Sequence, residues 1–177
     1  MASLTVIPVG FVPGELTQQL LPFLCHALCM GCALDPVEID PTLARNRERG
    51  QTNARDLLLW LEERASTLGT MVLGITEEDL YSPVFTFVFG EARLGGQAAL
   101  FSLNRLRSER YGLPADPLLL IARMHREALH ETGHLLGLAH CKSPDCAMRF
   151  SGSAEEIDLK QDALCALCRA QLFESPP

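Results

Sequence analysis

Apolar and polar residues alternate from Ser3 to Pro8 around Leu4, Val6 and Val9, and Gly10 and Pro13 follow, which predicts a strand and a turn. From Gly14 to about Gly31 the period lengthens to one helical turn, with Leu16, Leu20, Leu24 and Leu28 in register; Pro22 predicts a kink or a late start. Val37 to Asp40 reads as a second, short strand, and the charged run Asn46 to Gln51 as a solvated loop. A helix is predicted from about Thr52 to Ser66, with Thr52 as N-cap, Leu57, Leu58, Trp60 and Leu61 on its core face, and Gly69 at its end. Thr70 to Ile75 is a nearly continuous apolar run, as expected of a central parallel strand. Beyond the acidic turn Thr76 to Asp79, Val84 to Phe89 and Gln97 to Leu103 read as strands separated by Gly90, Gly95 and Gly96. Asp116-Pro117 then places a side-chain acceptor at an N-cap and proline at the first helical position, opening a stripe of Leu118, Ile121, Met124, Ala128 and Leu135 that runs to Gly137. Strands and helices in alternation, closed by a hairpin-like pair, predict a mixed α/β sheet.

Composition narrows this picture without changing it. A chain of 177 residues, 47% hydrophobic and 21% charged, has the profile of one globular domain with a sizeable core. The net charge of −7 offers no basic footprint for nucleic acid or an anionic membrane, and no apolar run approaches the ~18 residues of a membrane span. Residues 1–12 lack a signal-like basic and apolar pair of regions and read as an opening strand with no pro-segment before it, so a cytoplasmic protein is expected. Seven cysteines, an odd number, argue against a disulfide framework.

The candidate chemistry is concentrated in His130-Glu131-Thr132-Gly133-His134-Leu135-Leu136-Gly137-Leu138-Ala139-His140-Cys141. His130 and His134 lie one helical turn apart on the same face, where two imidazoles reach one zinc ion. Gly137 suits a residue that leaves the helix with positive φ and returns His140 toward the same metal. Three protein ligands leave a fourth position open, and Glu131 stands where a carboxylate approaches a metal-bound water without being a ligand. Cys141, Cys146, Cys165 and Cys168 form C-x4-C and C-x-x-C pairs suited to a closed, structural zinc site. Cys25, Cys29 and Cys32 are read as a stripe of small apolar residues packed on the sheet from one helix, since they lack a fourth ligand. His125, five positions before His130, reads as exposed or hydrogen-bonded.

These twelve residues match H-E-x-x-H-x-x-G-x-x-H at every fixed position. With Cys141 directly after the third histidine, then Cys146, Met148 and the closing C-x-x-C, the chain resembles the archaemetzincins, a branch of the metzincin zinc peptidases. Sixteen residues separate Met148 from Cys165, one fewer than the resemblance leads one to expect, a slip that a loop absorbs. Softer matches at Phe87-Val88-Phe89-Gly90 and Ser102-Leu103-Asn104-Arg105-Leu106 extend it over nearly the whole chain.

The resemblance implies a metzincin-like α/β fold: a mixed twisted sheet whose antiparallel edge strand, Val84 to Phe89, borders the cleft, a long active-site helix, and a small zinc-stapled C-terminal part. It implies one domain over residues 1–177, with an N-terminal subdomain 1–137 and a C-terminal subdomain 138–177. Met148 would be the methionine of the turn that floors the three histidines. Some metzincins place a tyrosine two residues later to help the oxyanion; here Phe150 stands there, and Tyr81 and Tyr111 are the only tyrosines. The implied activity is hydrolysis of peptide bonds in a peptide or protein substrate. His130, His134 and His140 would hold a catalytic zinc, Glu131 would be the general base, and the four cysteines would hold a second zinc. The alternative is a zinc-bearing module that binds peptides with little turnover; hydrolysis of a non-peptide amide differs only in substrate.

Overall fold

The computed structural model describes residues 3–37 and 39–173. The chain opens with β1 (Ser3–Val9) and α1 (Gly14–Leu28), then β2 (Gly31–Leu34). A short hairpin, β3 (Arg45–Asn46) and β4 (Gln51–Asn53), leads into α2 (Ala54–Leu68) and β5 (Met71–Thr76). Then come β6 (Leu80–Tyr81), β7 (Gly90–Ala92) and β8 (Ala98–Ser102). The long α3 (Pro117–Leu135) and two short helices, α4 (Ala154–Asp158) and α5 (Ala166–Phe173), complete it.

The main sheet has the order β2-β1-β5-β8-β7; its first four strands run parallel, and β7 pairs antiparallel with β8 at one edge. This is the mixed sheet with an antiparallel edge that the sequence led us to expect. Each face is covered. Leu20, Leu24 and Leu28 of α1 and Met124 and Ala128 of α3 pack with Leu4, Val6, Leu73, Ile75 and Phe101. On the other face Leu57, Leu58 and Leu61 of α2 pack with Ile7, Val72 and Leu100. Because β8 is buried on both sides, every residue of it is apolar or small. No helix among the described residues is long and apolar enough to cross a membrane.

Several local expectations are corrected. The first helix stops at Leu28 because Cys29 turns into the left-handed region (φ 50°), so the chain re-enters the sheet at Gly31 rather than at Val37. Ile39 keeps only a single bridge to Val9, and Glu38 lies outside the described residues. Pro22 removes one backbone donor, yet α1 continues through it, packed along the sheet. Cys25, Cys29 and Cys32 therefore fall on a helix, a cap and a strand. They form no single buried stripe, and Cys29 is exposed. Burial, with Cys25 alongside, pushes the Cys32 thiol up to about 12.

The run 46–51 is not a free loop but the turn of the β3–β4 hairpin, which joins β6 in a small second sheet. The N-cap of α2 is Asn53, whose Oδ1 accepts from the Arg55 N–H at 3.1 Å, while the Thr52 hydroxyl is turned away and donates to Glu78 Oε2 at 2.8 Å. His125 is half-buried and stacked on Phe23, with ring centroids 4.0 Å apart.

The largest correction concerns the edge strand. Residues 84–89 form no strand; after Pro83 they run as a turn and loop, with a single bridge from Phe85 to Ser82 and Phe89 O accepting from the Ser102 N–H, and the edge strand begins at Gly90, which the sequence suggested as a breaker. Glycine is required there for a packing reason. A Cβ on Gly90 would lie 2.5 Å from Glu131 Oε1 and 2.6 Å from the Leu100 carbonyl oxygen.

Glycine also sets the distance between α2 and the sheet. A Cβ on Gly74 would lie 2.5 Å from Leu61 Cδ1 and 2.9 Å from Leu100 Cδ1. Gly74→Ala should therefore destabilise the fold by about 1–3 kcal/mol through overpacking. Urea unfolding checks this, and an unchanged midpoint would show that the two leucines repack freely.

Candidate metal centres and the adjoining cleft

Helix α3 starts where the sequence places it: Asp116 Oδ1 accepts from the Leu119 N–H at 2.9 Å, and Pro117 fills the first turn. Its last two turns carry Glu127, His130, Glu131 and His134 on one face, by helical period alone. The helix breaks at Leu136, and Gly137 adopts φ 89°, sending the chain back toward the His130 side. His140 arrives with its ring centroid 5.2 Å from that of His130 and 4.9 Å from that of His134.

The tautomers of the first two histidines are fixed by backbone carbonyls. His130 Nδ1–H donates to Ala147 O at 2.8 Å and His134 Nδ1–H to Leu138 O at 2.7 Å. Each Nε2 therefore carries a lone pair and no proton, and the two lie 3.1 Å apart. Lone pairs facing each other at that distance repel unless a cation lies between them. Two ligands of a tetrahedral zinc with Zn–N of about 2.0–2.1 Å are separated by about 3.3 Å, so the donor set fits zinc. One ligand nitrogen from each of the three histidines falls within 4.8 Å of the others.

Burial matches this chemistry. Desolvation pushes His130 down to about 3, with the nearby Lys160 ammonium adding to it, and lowers His134 and His140 in the same direction. All three are thus held as neutral donors near neutral pH. Glu131 is fully buried. Desolvation pushes its carboxyl well above the usual range, the Glu127 carboxylate adds to this, and Lys160 opposes it.

The second cluster forms just behind. Cys141 follows His140 directly, Cys146 lies in the next turn, and Cys165 and Cys168 sit at the start of α5. Sγ of Cys141 is 3.8 Å from that of Cys165, and Cys146 is 3.8 Å from Cys168. A disulfide needs about 2.05 Å, whereas two thiolates on one zinc at about 2.3 Å each stand about 3.8 Å apart. All four sulfurs lie within 4.8 Å of one another. A hydrogen bond from the Cys168 backbone lowers the Cys165 thiol to about 7, although burial raises Cys146 and Cys168. The Cys141 N–H donates to Met148 O at 2.9 Å, tying the thiol cluster to the turn under the histidines.

Met148 is fully buried beneath α3, and a Cβ on Gly133 would run into its Sδ, so the glycine lets sulfur and helix backbone touch. Above the histidines lies a cleft of about 360 Å³. Its far wall is the loop 85–89, with Phe85, Phe87 and Phe89, and Phe150 packs edge-on to His140 at 5.5 Å. Neither tyrosine reaches it. Tyr111 Oη donates to Arg105 O at 2.8 Å, and Tyr81 Oη accepts from Asn46 Nδ2 at 3.4 Å.

Two residues of the site were missed in the sequence. Glu127 and Lys160 line the cleft as a buried ion pair, with Nζ–Oε1 3.2 Å. A carboxylate four positions before Glu131 on a core helix was the visible half of the signal. Its partner is 33 residues away, and no spacing rule links them.

A parallel sheet with an antiparallel edge, a helix-borne histidine pair and a third histidine past a glycine turn define the class of metzincin-like zinc peptidases. The model of peptidase family M54 matches residues 42–174. An archaemetzincin of Pyrococcus furiosus is 47% identical over 96% of this chain and 91% of its own length; that of Methanocaldococcus jannaschii is 42% identical over 93% and 89%. Among solved structures, a zinc-dependent peptidase from Methanocorpusculum labreanum superposes with a TM-score of 0.87 at 31% identity, covering 96% of this chain and 99% of that one. The archaemetzincin of Archaeoglobus fulgidus gives 0.81 at 32% identity, covering 96% and 99%. The chain belongs to peptidase family M54, the archaemetzincins, and is a zinc metallopeptidase.

Metal-stripped protein should keep the His130 ring neutral and Nδ1-protonated from about pH 7.5 down to pH 5, where a free imidazole, with its pKa of about 6.5, is mostly charged. Imidazole nitrogen shifts in NMR check this. A midpoint near 6.5 would mean that the ring is solvated and not held on Ala147.

Proposed function

We propose that the cleft hydrolyses peptide bonds, with His130, His134 and His140 as ligands of a catalytic zinc and Glu131 as general base. The convergence of two Nε2 lone pairs at 3.1 Å beside a fully buried carboxylate carries this reading. Zinc in that position supplies Lewis acidity toward the scissile carbonyl and makes water a nucleophile near neutral pH. Glu131 takes the proton of the attacking water on a carboxylate oxygen and returns it to the leaving amine. A carboxyl raised by burial is suited to both halves of that transfer, since its affinity for a proton lies nearer the working pH. The carbonyls of Ala147 and Leu138 orient His130 and His134, and the phenylalanines of loop 85–89 exclude water from the far wall. The membership of a peptidase family favours turnover over a module that only binds peptides.

Cys141, Cys146, Cys165 and Cys168 hold the second, structural zinc, which makes two per chain. Met148 is the floor of the Met-turn. We read the chain as one domain, 1–177, with the sheet and helix subdomain at 1–137 and the zinc-stapled subdomain at 138–177. Four thiolate ligands need reduced cysteine, which fits the cytoplasm. With Phe150 in place of a tyrosine, no phenol aids the oxyanion from that position.

Replacing Glu131 by alanine removes the base and no ligand. Hydrolysis of a peptide library by zinc-loaded protein should fall by about 10²–10⁴-fold while the zinc content stays at the parental value. Equal turnover by mutant and parent would take Glu131 out of the mechanism.

The two centres share a peptide bond, since His140 and Cys141 have Cα atoms only about 3.8 Å apart. Cys165→Ser should therefore weaken or abolish zinc binding at the histidines as well as at the thiolates. His134→Ala should empty only the histidine site. Native mass spectrometry counts the metals. A Cys165→Ser protein that loses one zinc and stays fully active would make the sites independent.

A further inference from the structure

The Glu127–Lys160 pair has no part in the chemistry above, yet it is buried in the wall of the cleft. Burying two ions is costly unless the remaining donors and acceptors are also used. Here they are. Lys160 Nζ lies 3.2 Å from Glu127 Oε1, 3.3 Å from Ala147 O and 3.0 Å from Arg149 O. An ammonium has three N–H donors, so these acceptors saturate it and leave nothing to offer a substrate. They belong to two pieces of chain, because Glu127 lies on α3 one turn before His130 and Glu131, while the carbonyls flank Met148.

The consequence appears at Ala147. Its carbonyl accepts from Lys160 and also from His130 Nδ1–H at 2.8 Å, using both lone pairs. Three consecutive carbonyls are thus engaged by parts of the two centres: Ala147 by His130 and Lys160, Met148 by the Cys141 N–H, and Arg149 by Lys160. Lys160 is itself anchored. Two residues earlier, Asp158 accepts two bonds from Arg123 of α3, at 2.8 and 2.6 Å.

We propose that Lys160 is a positioning residue of the peptidase centre, its ammonium pinning the Ala147 carbonyl that sets the plane and tautomer of His130, with Glu127 as its counter-ion. This rests on the assignment of the three histidines as zinc ligands. An arginine would not serve, since a planar fork cannot aim at three acceptors arranged around a tetrahedral nitrogen.

The test removes both charges together, so that no lone ion stays buried. The double variant Lys160→Met with Glu127→Met is compared with the parent, and its melting temperature and thiolate-bound zinc serve as controls. With both controls at parental values, zinc should bind the histidines about 10–100-fold more weakly in competition with a chelator. The visible bands of the cobalt-substituted histidine site should shift. Parental affinity with unchanged cobalt bands overturns the proposal, because the pair would then only hold α3 to the turn. Should the double variant not fold, NMR of the unmutated protein decides. A slowly exchanging Lys160 ammonium close to the His130 Nδ1 proton is expected, and a rapidly exchanging, solvated ammonium overturns it. A parent that takes up no zinc sensitive to His134→Ala would instead overturn the ligand assignment itself.

Discussion

Polar groups buried on a core helix are costly unless partnered, and α3 buries five polar side chains on or beside one face: Arg123, Glu127, His130, Glu131 and Thr132. A charged group moved from water to a core costs several kcal/mol unless it is paired or fully hydrogen-bonded. Much of the chain after residue 135 answers that demand. Asp158 pairs with Arg123, Lys160 with Glu127, and Ala147 O accepts from His130. The segment 138–173 adds Leu138, Met148, Ile157 and Leu164 to the core under α3; these polar contacts fix its position on the helix, and four converging thiols tie the segment to itself.

The same constraint shapes the site. Imidazoles and a carboxyl group coexist on the last turns of α3, and burial moves them in opposite directions: histidines down, Glu131 up. Lys160 lies within reach of both. Its charge lowers the histidines further and moderates the rise at Glu131, so one ammonium pushes the whole stripe toward neutral imidazole and toward an ionised carboxylate. Glycine does the complementary steric work. Gly90 leaves room for the Glu131 carboxylate and Gly133 for the sulfur of Met148, so both close approaches to α3 are made against Cα atoms.

What the sequence determined by itself is whatever depends on short, fixed spacing. Four residues along a helix put His130 and His134 together, a glycine three residues on returns His140, and paired cysteines announce a thiolate cluster; all of these assemble as the spacing requires. The apolar runs of β1, β5 and β8 and the cap at Asp116 were legible for the same reason, because they are local. What only the tertiary structure decided are features whose partners lie far along the chain. Residues 84–89 have the composition of a strand, but Phe85, Phe87 and Phe89 are used to wall the cleft, and the pairing falls on Gly90–Ala92 because the Glu131 carboxylate needs an edge residue without a side chain. The first helix ends early at a left-handed cysteine, which separates three cysteines that periodicity had placed on one face. Glu127 and Lys160, 33 residues apart, meet only because α4 and the turn after it dock on α3; hydrophobic periodicity carries no information about which buried charge will find which partner.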